Sequence, residues 1–111
     1  MKRDYKLYIN DIRDSIKQIE EYMGGISEGE FMKDKKLQDA VIRRLEIIGE
    51  ASRNIPRALK EKNKQVPWIK MVQYRDFIVH SYFEASLQRI WIASTENLKI
   101  IKEAMKKIAL V

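Results

Sequence analysis

From Tyr5 the chain repeats an apolar residue at alternating steps of four and three: Tyr5, Ile9, Ile12, Ile16, Ile19 and Met23. Steps averaging close to the helical period put all six on one side of an α-helix, and such a stripe demands another apolar surface to cover it. Gly24 and Gly25 end this helix. Ser27 and Glu30 have capping-box spacing, which predicts a short turn there. The helical rhythm returns from about Asp34 to Asn54 through Leu37, Val41, Leu45, Ile48 and Ser52. Ala40, Ile47 and Ala51 widen that stripe, so this helix belongs at the centre.

Pro56 suits the first turn of a short helix reaching about Asn63, and Pro67 suits the start of another, about Pro67 to Tyr82. A last helix is expected from about Ser86 to Ile108, through Leu87, Ile90, Trp91, Leu98, Ile101, Met105 and Ile108. No useful stretch alternates with period two, and no internal repeat is visible. The expected fold is all-α: an up-and-down bundle of four to five helices, one domain over residues 1–111.

Composition narrows the chemistry. Hydrophobic residues at 45% and charged residues at 34% describe a globular chain with a core. Without cysteine there is no disulfide framework, no thiolate nucleophile and no Cys-based zinc site. No apolar run approaches the roughly 18 residues that span a bilayer. The opening MKRDYKLYINDIRD lacks the apolar core of a signal peptide, so the expected location is cytoplasmic, away from membranes.

The net charge of +6 is unevenly spread. Residues 1–36 carry eight basic and eight acidic side chains. Residues 51–70 carry Arg53, Arg57, Lys60, Lys62, Lys64 and Lys70 against Glu61 alone. Arg53, Arg57, Lys60, Lys64 and Lys70 are therefore candidates for a basic approach that suits a polyanion such as RNA. The plainer reading is a lysine-rich solvated loop.

That run leads into YRDFIVHSYF, residues 74–83, which holds the only histidine, His80. At about 100° per residue, Arg75 projects between Met71, Val72, Val79 and Tyr82, which predicts a buried guanidinium. Asp39, Glu46 and Glu50 on the central helix are its candidate partners, since a buried charge left unpaired is costly. A lone histidine is more often structural than functional, but its neighbours here raise its standing. His80 can exchange a proton with a hydroxyl near neutral pH. Arg75 can hold a phosphate by two-pronged hydrogen bonds. Tyr82 can donate to a phosphate oxygen or be modified itself, and Asp76, one helical turn before His80, can orient the ring. Arg, His and Tyr together point to metal-independent phosphodiester chemistry, whose usual nucleophile is the 2′-hydroxyl of RNA. Such cleavage needs both a base and an acid, and with one histidine per chain a symmetric dimer would supply the second.

Other chemistries find less support. No His–x–x–x–His or Glu–x–x–His pair accompanies the carboxylates, so no metal site is expected. The clustered glycines Gly24, Gly25 and Gly29 form no phosphate loop, and no cofactor is expected. Trp68 and Trp91 read as core or dimer-interface residues.

Arg75–Asp76–x–x–x–His80–x–Tyr82 resembles the Arg–x4–His–x–Tyr signature of the HEPN superfamily, in its HepT-like toxin branch. LEIIGEASRNIP (45–56), PWI (67–69), HSYF (80–83) and IW (90–91) follow that family's pattern in order, and the resemblance runs from about Tyr5 to Lys107. It implies a helical-bundle homodimer with a composite cleft at the two-fold interface, acting as a metal-independent ribonuclease and as the toxin of a toxin–antitoxin pair. The implied antitoxin is an MNT-type nucleotidyltransferase that adds AMP to the signature tyrosine. By position, Arg75 and His80 become the catalytic pair and Tyr82 the AMP-modified residue. The family often has asparagine after the arginine; Asp76 instead sets a negative charge beside the phosphate site. The competing expectation is a non-catalytic module that docks a nucleotidyltransferase or binds a nucleotide, with Arg75 in a buried ion pair to Glu46 or Glu50.

Overall fold

The computed structural model describes residues 3–79 and 87–108. His80, Tyr82, the end of the helix expected to reach Tyr82 and the start expected at Ser86 lie outside the described residues. All regular structure within them is helical: α1 (Tyr5–Met23), α2 (Glu28–Lys33), α3 (Lys35–Arg53), α4 (Arg57–Lys62), α5 (Trp68–Val79), α6 (Leu87–Ile92) and α7 (Leu98–Met105). A π-helical segment, Ala93–Asn97, joins the last two.

Capping chemistry sets the boundaries. Asp4 accepts from the Lys6 backbone N–H at 2.9 Å and starts α1. Gly24 closes it by donating its N–H to Glu20 O, and Gly25, at φ 75°, makes the left-handed exit that a side chain would resist. The Ser27–Glu30 capping box forms in both directions at 3.1 Å, so the expected turn opens a full short helix. Asp34 caps α3 through Leu37 N–H at 3.0 Å. Pro56 stands just before α4 rather than within its first turn.

The stripes bury as their periods require. Ile9, Ile12 and Ile19 on α1 and Val41, Leu45 and Ile48 on α3 have no exposed surface, each contributing about 1.5–3 kcal/mol by leaving water. α3 packs along α1 on one side and α5 on the other, which makes it the central helix. α1 and α3 run antiparallel: Asp14 faces Arg44, while Tyr8 and Asp11 share a depression with Glu46 and Glu50. α7 also opposes α1, since Lys102 pairs with Glu20 at 2.8 Å while Arg13 donates to Met105 O and Ile108 O at 2.9 and 3.0 Å. Those two bonds tie the end of α7 and the residues just past it to α1.

The last helix departs from the expected unbroken α-helix. Thr95 Oγ1 donates to Trp91 O at 2.6 Å and Ser94 Oγ to the same oxygen at 3.2 Å. Both hydroxyls thus bond back to the preceding turn where the helix widens into the π-helical segment. Ile92 and Leu98 keep right-handed helical angles on either side, so the rod continues through it.

Candidate functional site

α5 turns Trp68, Met71 and Tyr74 into the core, an arc stepping by three residues. Val72 is only partly buried, and the Arg75 side chain keeps 44% of its surface exposed. The expected buried guanidinium is therefore corrected: Arg75 sits on the margin of the α3–α5 contact, in reach of solvent. Its Nε lies 3.2 Å from Oε2 of Glu50, whose side chain is 53% exposed. An ion pair so open to water is worth about 0–1 kcal/mol, so the expectation of a buried, stability-bearing Arg75 pair is corrected with it. Asp39 is exposed and does not line the depression beside Arg75.

What fixes Arg75 is a glycine. A Cβ added at Gly49 would lie 2.9 Å from Arg75 N, 3.1 Å from Arg75 Cβ and 3.2 Å from Met71 O. α3 and α5 thus meet backbone to backbone at the residue before Glu50. Periodicity and motif assign Gly49 no role. The available signal is a glycine in the middle of a strong helical stripe, which lowers helix stability and so points to a packing requirement.

The two helices and α1 enclose a depression of about 270 Å³, lined by Arg3, Tyr8, Asp11, Arg43, Glu46, Ile47, Glu50, Ala51 and Arg75. Arg3 reaches Asp11 at 2.9 Å and lies over the Tyr8 ring, 4.6 Å from its centroid. Three arginines and three carboxylates make this lining balanced in charge.

The basic residues expected to approach the site divide. Arg53 lines a depression with Arg3 and Tyr8, so it adjoins the Arg75 depression. Lys60, Lys64 and Lys70 line another with Val66, Pro67, Trp68, Ile69 and Gln73, which shares no lining residue with it. Burial lowers the pKa of Lys60 there. Arg57 is occupied by Glu61 at 3.2 Å. Asp76 is exposed. Among the described residues no three His, Cys, Asp or Glu side chains gather as a metal site would require. Trp68 is buried and donates its indole N–H to Asn63 O at 3.0 Å, and Trp91 packs at a tilt on Phe31 with centroids 5.6 Å apart. Among the described residues no helix is long and apolar enough to cross a membrane.

Residues 12–108 match a family model described as ribonuclease HepT-like. A relative from Thermococcus cleftensis named probable ribonuclease HepT is 42% identical over 108 residues, covering 97% of this chain and 98% of its own. A Methanocaldococcus jannaschii protein, named as a gamma-glutamylcyclotransferase and candidate RNase, is also 42% identical over 108 residues. There the match covers 97% of this chain, which spans only 49% of that longer relative. A second M. jannaschii protein, named as a candidate RNase, is 40% identical over 111 residues, covering 96% of this chain and 92% of its own. No solved structure matches the chain.

Proposed function

Because the chain belongs to the HepT-like ribonuclease family, we propose that it is a metal-independent endoribonuclease whose catalytic pair is Arg75 and His80. The observation that carries this reading is the placement of Arg75. Its guanidinium stands half exposed at the rim of a depression, where a phosphate can reach it, instead of being consumed in the core. In the proposed reaction His80 takes the proton of a 2′-hydroxyl, the oxygen attacks the adjacent phosphorus, and the 5′-oxygen leaves with a proton from a second acid. Arg75 holds the phosphoryl oxygens as charge builds on them. A symmetric dimer brings a second copy of the histidine as that acid, and Tyr82 and Asp76 assist.

On the same reading the protein is the toxin of a toxin–antitoxin pair, silenced when an MNT-type nucleotidyltransferase adds AMP to Tyr82. Arg53 extends the RNA path from the Arg75 depression, and Lys60, Lys64 and Lys70 hold more distant phosphates. The experiment is cleavage of RNA in the presence of a chelator. The wild type should leave 2′,3′-cyclic phosphate ends, while Arg75→Ala and His80→Ala, folded and in the same oligomeric state, should not cut. A folded His80→Ala protein that still cut RNA would refute the proposal. Intact mass after co-expression with a nucleotidyltransferase tests the silencing step: one or more AMP units mapped to Tyr82 support it, and an unmodified, fully active protein refutes it.

A further inference from the structure

We propose that Glu50 is a positioning residue for Arg75 and that Gly49 sets the spacing it works at, so that the pair Gly49–Glu50 forms the seat of the phosphate-binding arginine. The inference rests on the reading of Arg75 as that phosphate ligand.

Two separate contacts converge on one side chain. Gly49 meets the backbone nitrogen and Cβ of Arg75 so closely that an added carbon would lie 2.9 Å and 3.1 Å from them. That contact locks α5 against α3 at this point, because sliding either helix drives backbone into backbone. Glu50 follows Gly49 directly, so its distance from Arg75 is set by the same lock. Its carboxylate then meets Arg75 at Nε, 3.2 Å away. Nε is the inner nitrogen of the guanidinium and carries one of the five N–H groups; the other four belong to the two terminal nitrogens at the solvent end. A carboxylate on the inner edge and a phosphate on the outer edge can be bound together. Glu50 therefore orients the planar fork without occupying the edge that takes a phosphate in two-pronged fashion. The openness of the pair fits this role, since a contact so exposed adds little to folding and its effect falls on orientation.

The test uses the full-length protein and a mixed-sequence single-stranded RNA oligomer. Glu50→Gln keeps the shape and removes the charge. It should lower kcat about 10- to 100-fold, leave KM within about threefold, and leave the melting temperature unchanged. Chemical rescue supplies the reading that a merely structural role would not move. Guanidinium ion added to Arg75→Ala should restore part of the cleavage, and the concentration needed should rise at least tenfold in Arg75→Ala/Glu50→Gln. A Glu50→Gln protein within twofold of wild type in kcat overturns the positioning role, with Arg75 still required. An Arg75→Ala protein that cuts at the wild-type rate overturns the phosphate reading itself, which is a different result from the first.

Discussion

Gly49 and Arg75 touch through their backbones: a Cβ on the glycine would stand 2.9 Å from the arginine nitrogen, closer than such atoms approach. The neighbour is main chain and cannot swing aside. Gly49→Ala should therefore force α5 away from α3, at a cost of about 1–3 kcal/mol despite the better helix propensity of alanine. Chemical denaturation measures the destabilisation. An alanine variant as stable as wild type would mean that the two helices part freely at this point.

Arg75→Ala should separate stability from activity. The Arg75–Glu50 pair is half exposed on both sides, so its removal should cost no more than about 1 kcal/mol. RNA cleavage should fall at least about 100-fold if the guanidinium holds the reacting phosphate. Thermal melts and cleavage rates on one preparation check both halves; a destabilisation of about 3 kcal/mol or more would restore the structural role for Arg75.

The cluster of Lys60, Lys64 and Lys70 predicts an effect of another kind. Replacing all three with glutamine should weaken RNA binding alike for all sequences. It should also reduce the salt slope of log K by up to about 2, at roughly 0.7 for each single-strand phosphate that a lysine no longer neutralises. Binding titrations of Arg75→Ala, with and without the triple change, measure this apart from cleavage. An unchanged slope would place the RNA path elsewhere.

Tyr74 sets an alkaline limit. Burial pushes its hydroxyl up to about 12, above its ordinary value near 10. The folded state therefore keeps a proton that the unfolded chain gives up, and stability present below pH 10 is lost as pH rises toward 12. At about 1.4 kcal/mol per unit, the decline approaches 2–3 kcal/mol. Denaturation at about pH 9 and pH 11 should show a steeper fall for wild type than for Tyr74→Phe, and parallel curves would exclude it.

Much of the fold is legible in the residues. Ile9, Ile12, Ile16 and Ile19 against Val41, Leu45 and Ile48 specify two facing stripes, and Ser27, Asp34 and the Gly24–Gly25 pair specify where helices stop and start. A helical wheel gives the direction of Arg75 but not the width of the arc that a neighbour covers, which is why it reads as buried when α3 leaves it half open. Lys70 and Arg75 are close in sequence yet line different depressions, because a helix sends residues five apart to different sides. The partner choice of Arg75, Glu50 over Asp39 or Glu46, depends on the axial register of two helices, which Gly49 fixes and periodicity does not. His80 and Tyr82 carry their assignment by motif alone.

The π-helical segment Ala93–Asn97 has a consequence for how this chain tolerates length change. A widened turn holds one residue more than an α-helix needs, so it acts as a spare unit between α6 and α7. Removing one residue there lets the turn close into ordinary α-helix with Ile90 and Leu98 still facing inward. Removing one from residues 98–100 instead rotates all that follows by about 100° and carries Ile101 and Met105 off the core. The rod is thus forgiving of deletion within the widened turn and intolerant of it in the turn that follows.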